Sequence, residues 1–175
     1  MTKCAVTPTG KESPFGEEEI IVSKTDLKGR LVYVNPVFCR VAKMKIDELL
    51  GQPHSIIRHP DMPRCVFKLL WDTIQAKTEV FAYVINLAKN GDHYWVFAHV
   101  TPSFDAVGNV VGYHSNRRKP DAGQVSKIRS IYDQLLAEER RFGDDRKAGM
   151  EASHKKLVGM LQEKRMNYDE FIFAV

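Results

Sequence analysis

Strand-like segments in two groups, with a helical stretch between them, constrain this sequence more than any other feature. The first group, residues 20–22 and 31–34, flanks a turn that ends at Gly29, which predicts a hairpin. The second group has three runs rich in β-branched and aromatic residues, and Asn90-Gly91 supplies a hairpin turn between the first two. These runs are residues 80–87, 93–104 and 110–117. The order predicts an α+β fold, a five-stranded antiparallel sheet with helices on one face, followed by C-terminal helices.

The chain divides into three predicted regions. Residues 1–18 are rich in proline and glycine and predict a flexible N-terminal arm. Residues 19–119 form one folded domain. Residues 120–175 form a helical extension, because Asp121 and Gln124 match a capping box and apolar residues recur at helical spacing. Two isolated helices cannot hide this much apolar surface, so we expect the extension to pack on the domain or on another chain.

Composition and missing motifs exclude several classes of protein. The chain has 26 Lys and Arg against 22 Asp and Glu, and the basic excess is spread out, so nucleic-acid binding is not expected. Cys4, Cys39 and Cys65 form no CxxC pair and predict reduced thiols in a cytoplasmic protein. Without an apolar stretch of roughly 20 residues or a signal-peptide core, direct membrane insertion is not expected. No catalytic or zinc-binding motif occurs, so neither an enzyme nor a metal site is predicted.

Four short motifs together resemble one known family. They are Gly51–His54, Ile57–Pro63, Phe67–Trp71 and Lys89–Val96. With them, about residues 20–118 resemble a PAS domain, and residues 57–63 are similar to the bacterial aerotaxis and energy-taxis sensor group typified by Aer. Residues 167–171 add a likeness to the soluble CetB type of that group. The resemblance implies a PAS fold that binds FAD and acts as a redox or energy sensor in aerotaxis signal transduction, passing the flavin's redox state to a chemoreceptor.

Polar residues of these motifs are the first candidates for a cofactor site. The resemblance assigns flavin binding to Arg58, His59 and Asp61, which match the family's flavin-binding segment position for position. Arg58 can clamp phosphate oxygens with two parallel hydrogen bonds, and His59 adds a donor. Asn86 faces the helices by strand alternation, so we expect its amide to bind the pyrimidine edge of the flavin. His54, from the first motif, is a further candidate.

Aromatic residues are the second group of candidates. Trp71 and Phe81 can stack or pack on a ring system. Where the sensor group has a Trp, a small residue and Gly, this sequence has Val80–Ala82, so a flavin-contacting Trp is lost and Phe81 or Tyr83 is its candidate substitute. Asn35, which can also cap the helix that follows it, completes the predicted cofactor-binding set.

Two alternatives to a flavin sensor remain open at this point. One is a haem-based gas sensor ligated by a histidine, and the candidates are His54, His59, His93, His99, His114 and His154. The other is a cofactor-free PAS module for protein interaction or dimerisation. In that case the charges of residues 58–61 cap neighbouring helices, and Trp71 is ordinary core packing.

Output by this chain requires a partner, because the sequence contains neither a kinase nor a methyl-accepting coiled coil. The resemblance implies a membrane-bound chemoreceptor with a HAMP domain, acting in trans and recruiting the cytoplasmic chain to the inner membrane. A homodimer through the PAS domain and the C-terminal helices is a further expectation.

Overall fold

The predicted sheet is present in the computed structural model, which describes residues 6–175. Five antiparallel strands lie in the order β2-β1-β5-β4-β3, so the α+β prediction is confirmed. The strands are β1 (Ile21–Thr25), β2 (Leu31–Val34), β3 (Val80–Leu87), β4 (His93–Phe104) and β5 (Val110–Arg118). The helices are α1 (Pro36–Ala42), α2 (Ile46–Leu49), α3 (Arg64–Gln75), α4 (Ala122–Arg140), α5 (Arg146–Glu163) and α6 (Tyr168–Ala174), with a short 3-10 helix at His54–Ile57.

The hairpin between β1 and β2 closes through Asp26 and Gly29. The carboxylate of Asp26 accepts hydrogen bonds from the backbone N–H groups of Lys28 and Arg30, both at 2.8 Å. Gly29 has a φ of +74°, and a Cβ atom there would lie 3.0 Å from the Trp71 ring. Glycine is therefore needed both for the turn and for the approach of α3.

Asn35 joins the start of α1 to the first strand. Its side-chain oxygen accepts from Phe38 N at 3.0 Å and from Val22 N at 3.1 Å, and its amide nitrogen donates to Ile20 O at 2.7 Å. These three bonds use both acceptor sites of the amide oxygen and one of the two N–H donors, for capping and strand attachment. Asn35, a predicted cofactor-binding residue, is also not among the residues that line the cavity described below.

The C-terminal extension packs against the domain of its own chain. The hydroxyl of Tyr132 on α4 donates to Tyr83 O on the edge strand β3, at 2.5 Å. At the end of α4, the carboxylate of Glu139 accepts from the backbone N–H groups of Arg64 and Cys65, at 2.7 and 3.2 Å, and so caps α3. Tyr132 is itself buried. No helix within residues 6–175 is both long and apolar enough to cross a membrane.

The flexible arm predicted at the N-terminus is corrected over part of its length. The backbone N–H of Thr9 donates to Gly91 O at 2.8 Å, and the hydroxyl of Ser13 donates to Val41 O at 2.8 Å. Phe15 is buried in the main core. Residues 9–15 are therefore held by partners more than 25 residues away in sequence. The proline and glycine content of the segment gives no sign of these contacts. Residues 1–5, including Cys4, lie outside the described residues.

Both edge strands of the sheet carry additional backbone contacts. Beside β2, the N–H of Leu31 donates to Gln52 O at 2.9 Å, and the N–H of Gly51 donates to Leu31 O at 2.8 Å. Beside β3, Arg58 forms an antiparallel bridge with Asn86. This bridge joins the segment after the 3-10 helix to the edge of the sheet, and both Arg58 and Asn86 line the cavity described below.

Candidate functional site

A cavity of about 680 Å³ lies between the inner face of the sheet and helix α3. Its size falls in the range of small-molecule sites, about 300–1,000 Å³. The walls are largely apolar, and they are formed by Ile57, Phe67, Leu70, Ile74, Val84, Ala98 and Val100. An apolar slot between a sheet and a helix suits a flat ring system, provided that polar groups fix its orientation.

Such polar groups lie on β3 and β5, in the buried part of the cavity lining. Asn86, Ser115 and Arg117 all line it and are all buried. Asn86 Nδ2, Ser115 Oγ and Arg117 Nη1 find no hydrogen-bond partner among the described residues. A buried polar atom without a partner costs about 1–3 kcal/mol, so three of them around one cavity indicate the place of a polar ligand edge.

Arg117 is the dominant charge of this cavity, and only 4% of its surface is exposed. It donates to Ser23 Oγ at 2.8 Å and to His54 Nε2 at 2.5 Å, and its guanidinium lies 5.5 Å from the Phe38 ring centre. No carboxylate forms an ion pair with it among the described residues. Burial lowers the pKa of Arg117 to about 10, and burial together with the Arg117 charge lowers the pKa of His54 to about 3. His54 therefore stays neutral and accepts from a cation that lacks a counter-ion.

Arg58 and Trp71, two predicted site residues, also line this cavity. The guanidinium of Arg58 lies 4.4 Å from the Phe67 ring centre and donates to Met62 O at 3.4 Å. Burial is the main cause that lowers the pKa of Arg58, with Arg64 contributing. The Trp71 ring meets Tyr113 edge to face at 5.6 Å. The structure thus brings Arg58, Trp71, Asn86 and His54 to one cavity.

His59 and Asp61 lie outside the main cavity. His59 is buried, accepts from Asp61 N at 3.1 Å and meets the His93 ring at 6.3 Å, and burial lowers its pKa. It lines a second cavity of about 790 Å³ beyond Arg58, which contributes to both. The Asp61 side chain is exposed and lies 3.7 Å from Arg140 of the extension.

Phe81 and Tyr83 lie on the opposite face of the sheet from the cavity. In the β3–β4 register they stand opposite His99 and Phe97, whereas the cavity-lining Val84 and Asn86 occupy the alternate positions. Phe81 stacks on His99 at 4.2 Å and meets Phe173 of α6 at 4.8 Å. The prediction that Phe81 or Tyr83 replaces a flavin-contacting Trp is corrected: both residues pack on the outer face.

Several lining residues were missed by the sequence reasoning. Ser115 and Arg117 alternate with outward-facing positions on β5, and this alternation would have placed them beside Asn86. Three residues of α5, Arg146, Lys147 and Met150, also line the cavity, although this helix follows the domain in sequence. No local pattern could have indicated that contact, because it depends on how the extension folds back.

In comparisons with known proteins, residues 18–115 match the PAS domain family. The aerotaxis receptor of Escherichia coli (strain K12) is 34% identical over 129 residues, which cover 74% of this chain and 25% of that receptor. The nitrogen fixation regulatory protein of Klebsiella pneumoniae is 26% identical over 102 residues, which cover 58% of this chain and 21% of that protein. The chain thus spans about a quarter of the length of these curated relatives.

Solved structures of light-oxygen-voltage (LOV) domains share the fold. The light state of the blue-light photoreceptor Aureochrome1 LOV has a TM-score of 0.55 at 20% identity, covering 67% of this chain and 91% of that one. A LOV domain studied with a flavin analogue has a TM-score of 0.57 at 16% identity, covering 66% and 86%. At such identities the likeness concerns the fold alone. The family match over residues 18–115 and the 34% identity to the aerotaxis receptor show more than the fold: this chain belongs to the PAS domain family.

Proposed function

We propose that this chain is a flavin-binding PAS sensor, with FAD as its cofactor, which reports the cofactor's redox state to a chemoreceptor partner. The observation that carries the proposal is the set of three buried, unpaired polar atoms on Asn86, Ser115 and Arg117 in the buried part of the lining of an apolar cavity. PAS domains are signalling modules, one relative of this chain is an aerotaxis receptor, and LOV photoreceptors share its fold. A bound flavin would supply reversible electron transfer.

The residues of the cavity fit a flavin by chemical type. The pyrimidine edge of a flavin carries carbonyl oxygens and an N–H group, and the amide of Asn86 and the hydroxyl of Ser115 can each donate and accept. Phe67 and Trp71 supply apolar contact for the flat ring system. Arg117 favours additional negative charge on the bound ligand, since its own charge has no carboxylate partner among the described residues.

A path from the cavity to the extension supports the reporting step of the proposal. Phe67 and Trp71 lie on α3, and the first N–H groups of α3 are held by Glu139 of α4. A change of ligand charge beside Arg117 alters how α3 packs over the cavity, and α3 passes this change to Glu139. Hydrogen bonds of this kind contribute about 1–3 kcal/mol, which suffices to bias a two-state arrangement. A HAMP-containing chemoreceptor in trans, or a second copy of this chain, is the proposed recipient.

The experiment is an absorption spectrum of the freshly purified 175-residue chain, with the released cofactor identified by chromatography. A flavin spectrum and released FAD are expected. Asn86→Leu is expected to lose the colour, whereas Asn116→Leu, on the exposed face of β5, is expected to keep it. A Soret band would move the assignment to haem. A protein that stays colourless after incubation with FAD would contradict flavin binding and leave a PAS interaction module.

A further inference from the structure

We propose that helix α5 is part of the cofactor site, and that Arg146 and Lys147 on its first turn bind the phosphate groups of a phosphorylated flavin. This inference rests on the proposed flavin function and adds to it the part of the ligand that the extension recognises. It places part of the phosphate recognition outside residues 18–115, the stretch that matches the PAS family.

The cavity is strongly basic where its lining residues are half-buried or exposed, and we call this part its mouth. Besides the buried Arg117, six cationic side chains line the cavity together with one acid, Asp72, and these cations are Lys28, Arg58, Arg64, Lys68, Arg146 and Lys147. Lys68 pairs with Asp72 at 2.6 Å. Among the described residues, Arg146 and Lys147 form no ion pair. The neighbouring carboxylate of Asp145 is directed to its own helix, where it accepts from Ala148 N at 3.0 Å.

The same cavity therefore has two chemically different ends. Its buried end holds the unpaired polar atoms of Asn86, Ser115 and Arg117, which suit the polar edge of a ring system. Its exposed end holds cations that suit an anionic group attached to that ring. A flavin nucleotide has this arrangement, with a ring at one end and phosphate at the other. Riboflavin would leave the basic mouth unused.

Close packing fixes the position of α5 at this mouth. A Cβ atom on Gly149 would lie 2.8 Å from Glu139 O, so the two helices α4 and α5 approach at a glycine. The hydroxyl of Ser153 donates to the Glu139 carboxylate at 2.9 Å, and that carboxylate also caps α3. Leu157 and Leu161 are buried in the main core. Through Glu139, α5 is linked to α3, the helix that lines one side of the cavity. Phosphate binding to α5 therefore stabilises the docked extension, and by reciprocity docking of the extension strengthens phosphate binding.

The test compares riboflavin, FMN and FAD on the full chain by calorimetric titration. The variant carries Arg146→Glu and Lys147→Glu. A matched control carries Lys155→Glu and Lys164→Glu, two exposed lysines from the same part of the extension that do not line the cavity. In the first variant we expect about tenfold or greater weakening for FMN and FAD, with riboflavin affinity kept within about twofold. The control is expected to stay within about twofold for all three ligands.

Hydrogen exchange of the α5 backbone gives a second readout that does not depend on flavin chemistry. FAD is expected to slow exchange across α5 in the unaltered chain, and riboflavin is expected to slow it less. Equal weakening of all three flavins by the charge reversal would overturn the inference, and so would no weakening of any of them. If the unaltered chain binds none of the three flavins, the proposed function itself fails, which is a distinct result.

Discussion

Replacement of Arg117 by Met is expected to stabilise the cofactor-free protein and to lower the midpoint potential of the bound flavin. Burial lowers the pKa of Arg117 from its ordinary 12.5 to about 10. One pKa unit corresponds to about 1.4 kcal/mol, so burial destabilises the charged side chain by roughly 3 kcal/mol. Met has a similar length and carries no charge, and it removes this cost.

The gain is offset by the loss of two hydrogen bonds. Ser23 Oγ and His54 Nε2 each accept from Arg117 in the native protein. At about 1 kcal/mol each, their loss leaves a net stabilisation of about 1 kcal/mol for Arg117→Met. Arg118→Met is the matched control, because Arg118 is the next residue on β5 and is exposed. Its free energy of unfolding is expected to change by less than about 0.5 kcal/mol.

Urea unfolding of both variants, prepared free of flavin and monitored by circular dichroism, measures these differences. The same variants loaded with FAD give the second half of the prediction. Arg117→Met is expected to lower the flavin's midpoint potential by about 30 mV, which corresponds to a tenfold loss of preference for the reduced ligand. A destabilisation of the cofactor-free protein by more than about 1 kcal/mol would refute the reasoning, because Arg117 would then stabilise the fold.

Three further changes test separate parts of the structure. Glu139→Ala is expected to lower the free energy of unfolding by about 1–2 kcal/mol, because it uncaps α3, whereas the exposed Glu163→Ala should change it by less than about 0.5 kcal/mol in the same urea titration. Below pH 6.5 an unfolded His54 gains a proton that the folded residue, with its pKa lowered to about 3, does not take up. The free energy of unfolding is therefore expected to decrease by up to about 1.4 kcal/mol for each unit by which the pH is lowered. Unfolding curves at several pH values measure this slope, which should be shallower in His54→Gln. Phe81→Ala is expected to cost about 2 kcal/mol through lost contact with Phe173 and to leave FAD affinity within about twofold; a large loss of affinity by fluorescence titration would contradict the assignment of Phe81 to the outer face.

The sequence predicted the sheet well because its signals are local. Two turns, at Gly29 and at Asn90-Gly91, mark where strands end and which strands pair. The alternation of apolar and polar residues marks the extent of each strand. The same alternation also separates Phe81 from Asn86, since positions five apart on a strand face opposite sides. Placing both in one cofactor site therefore conflicted with a pattern that was already visible in the sequence.

Residues that depend on long-range packing could not be predicted in this way. An arginine near the end of a strand, such as Arg117, is ordinarily exposed, and only the helices above the sheet bury it. The contribution of Arg146 and Lys147 depends on the docking of α5, which rests on contacts such as Glu139 with Arg64, 75 residues apart. Sequence patterns could state that the extension must pack somewhere, but not against which element.

The covered edges of the sheet bear on how copies of this chain can associate. An unpaired strand edge is a template for strand exchange and for fibril growth. On β3 the exposed backbone is met by Tyr132 and Arg58, and on β2 it is met by residues 51–52. Growth by continuous strand pairing is therefore disfavoured while the extension is docked. Release of α4 would uncover part of β3, which makes the extension a safeguard against aggregation as well as a wall of the cavity.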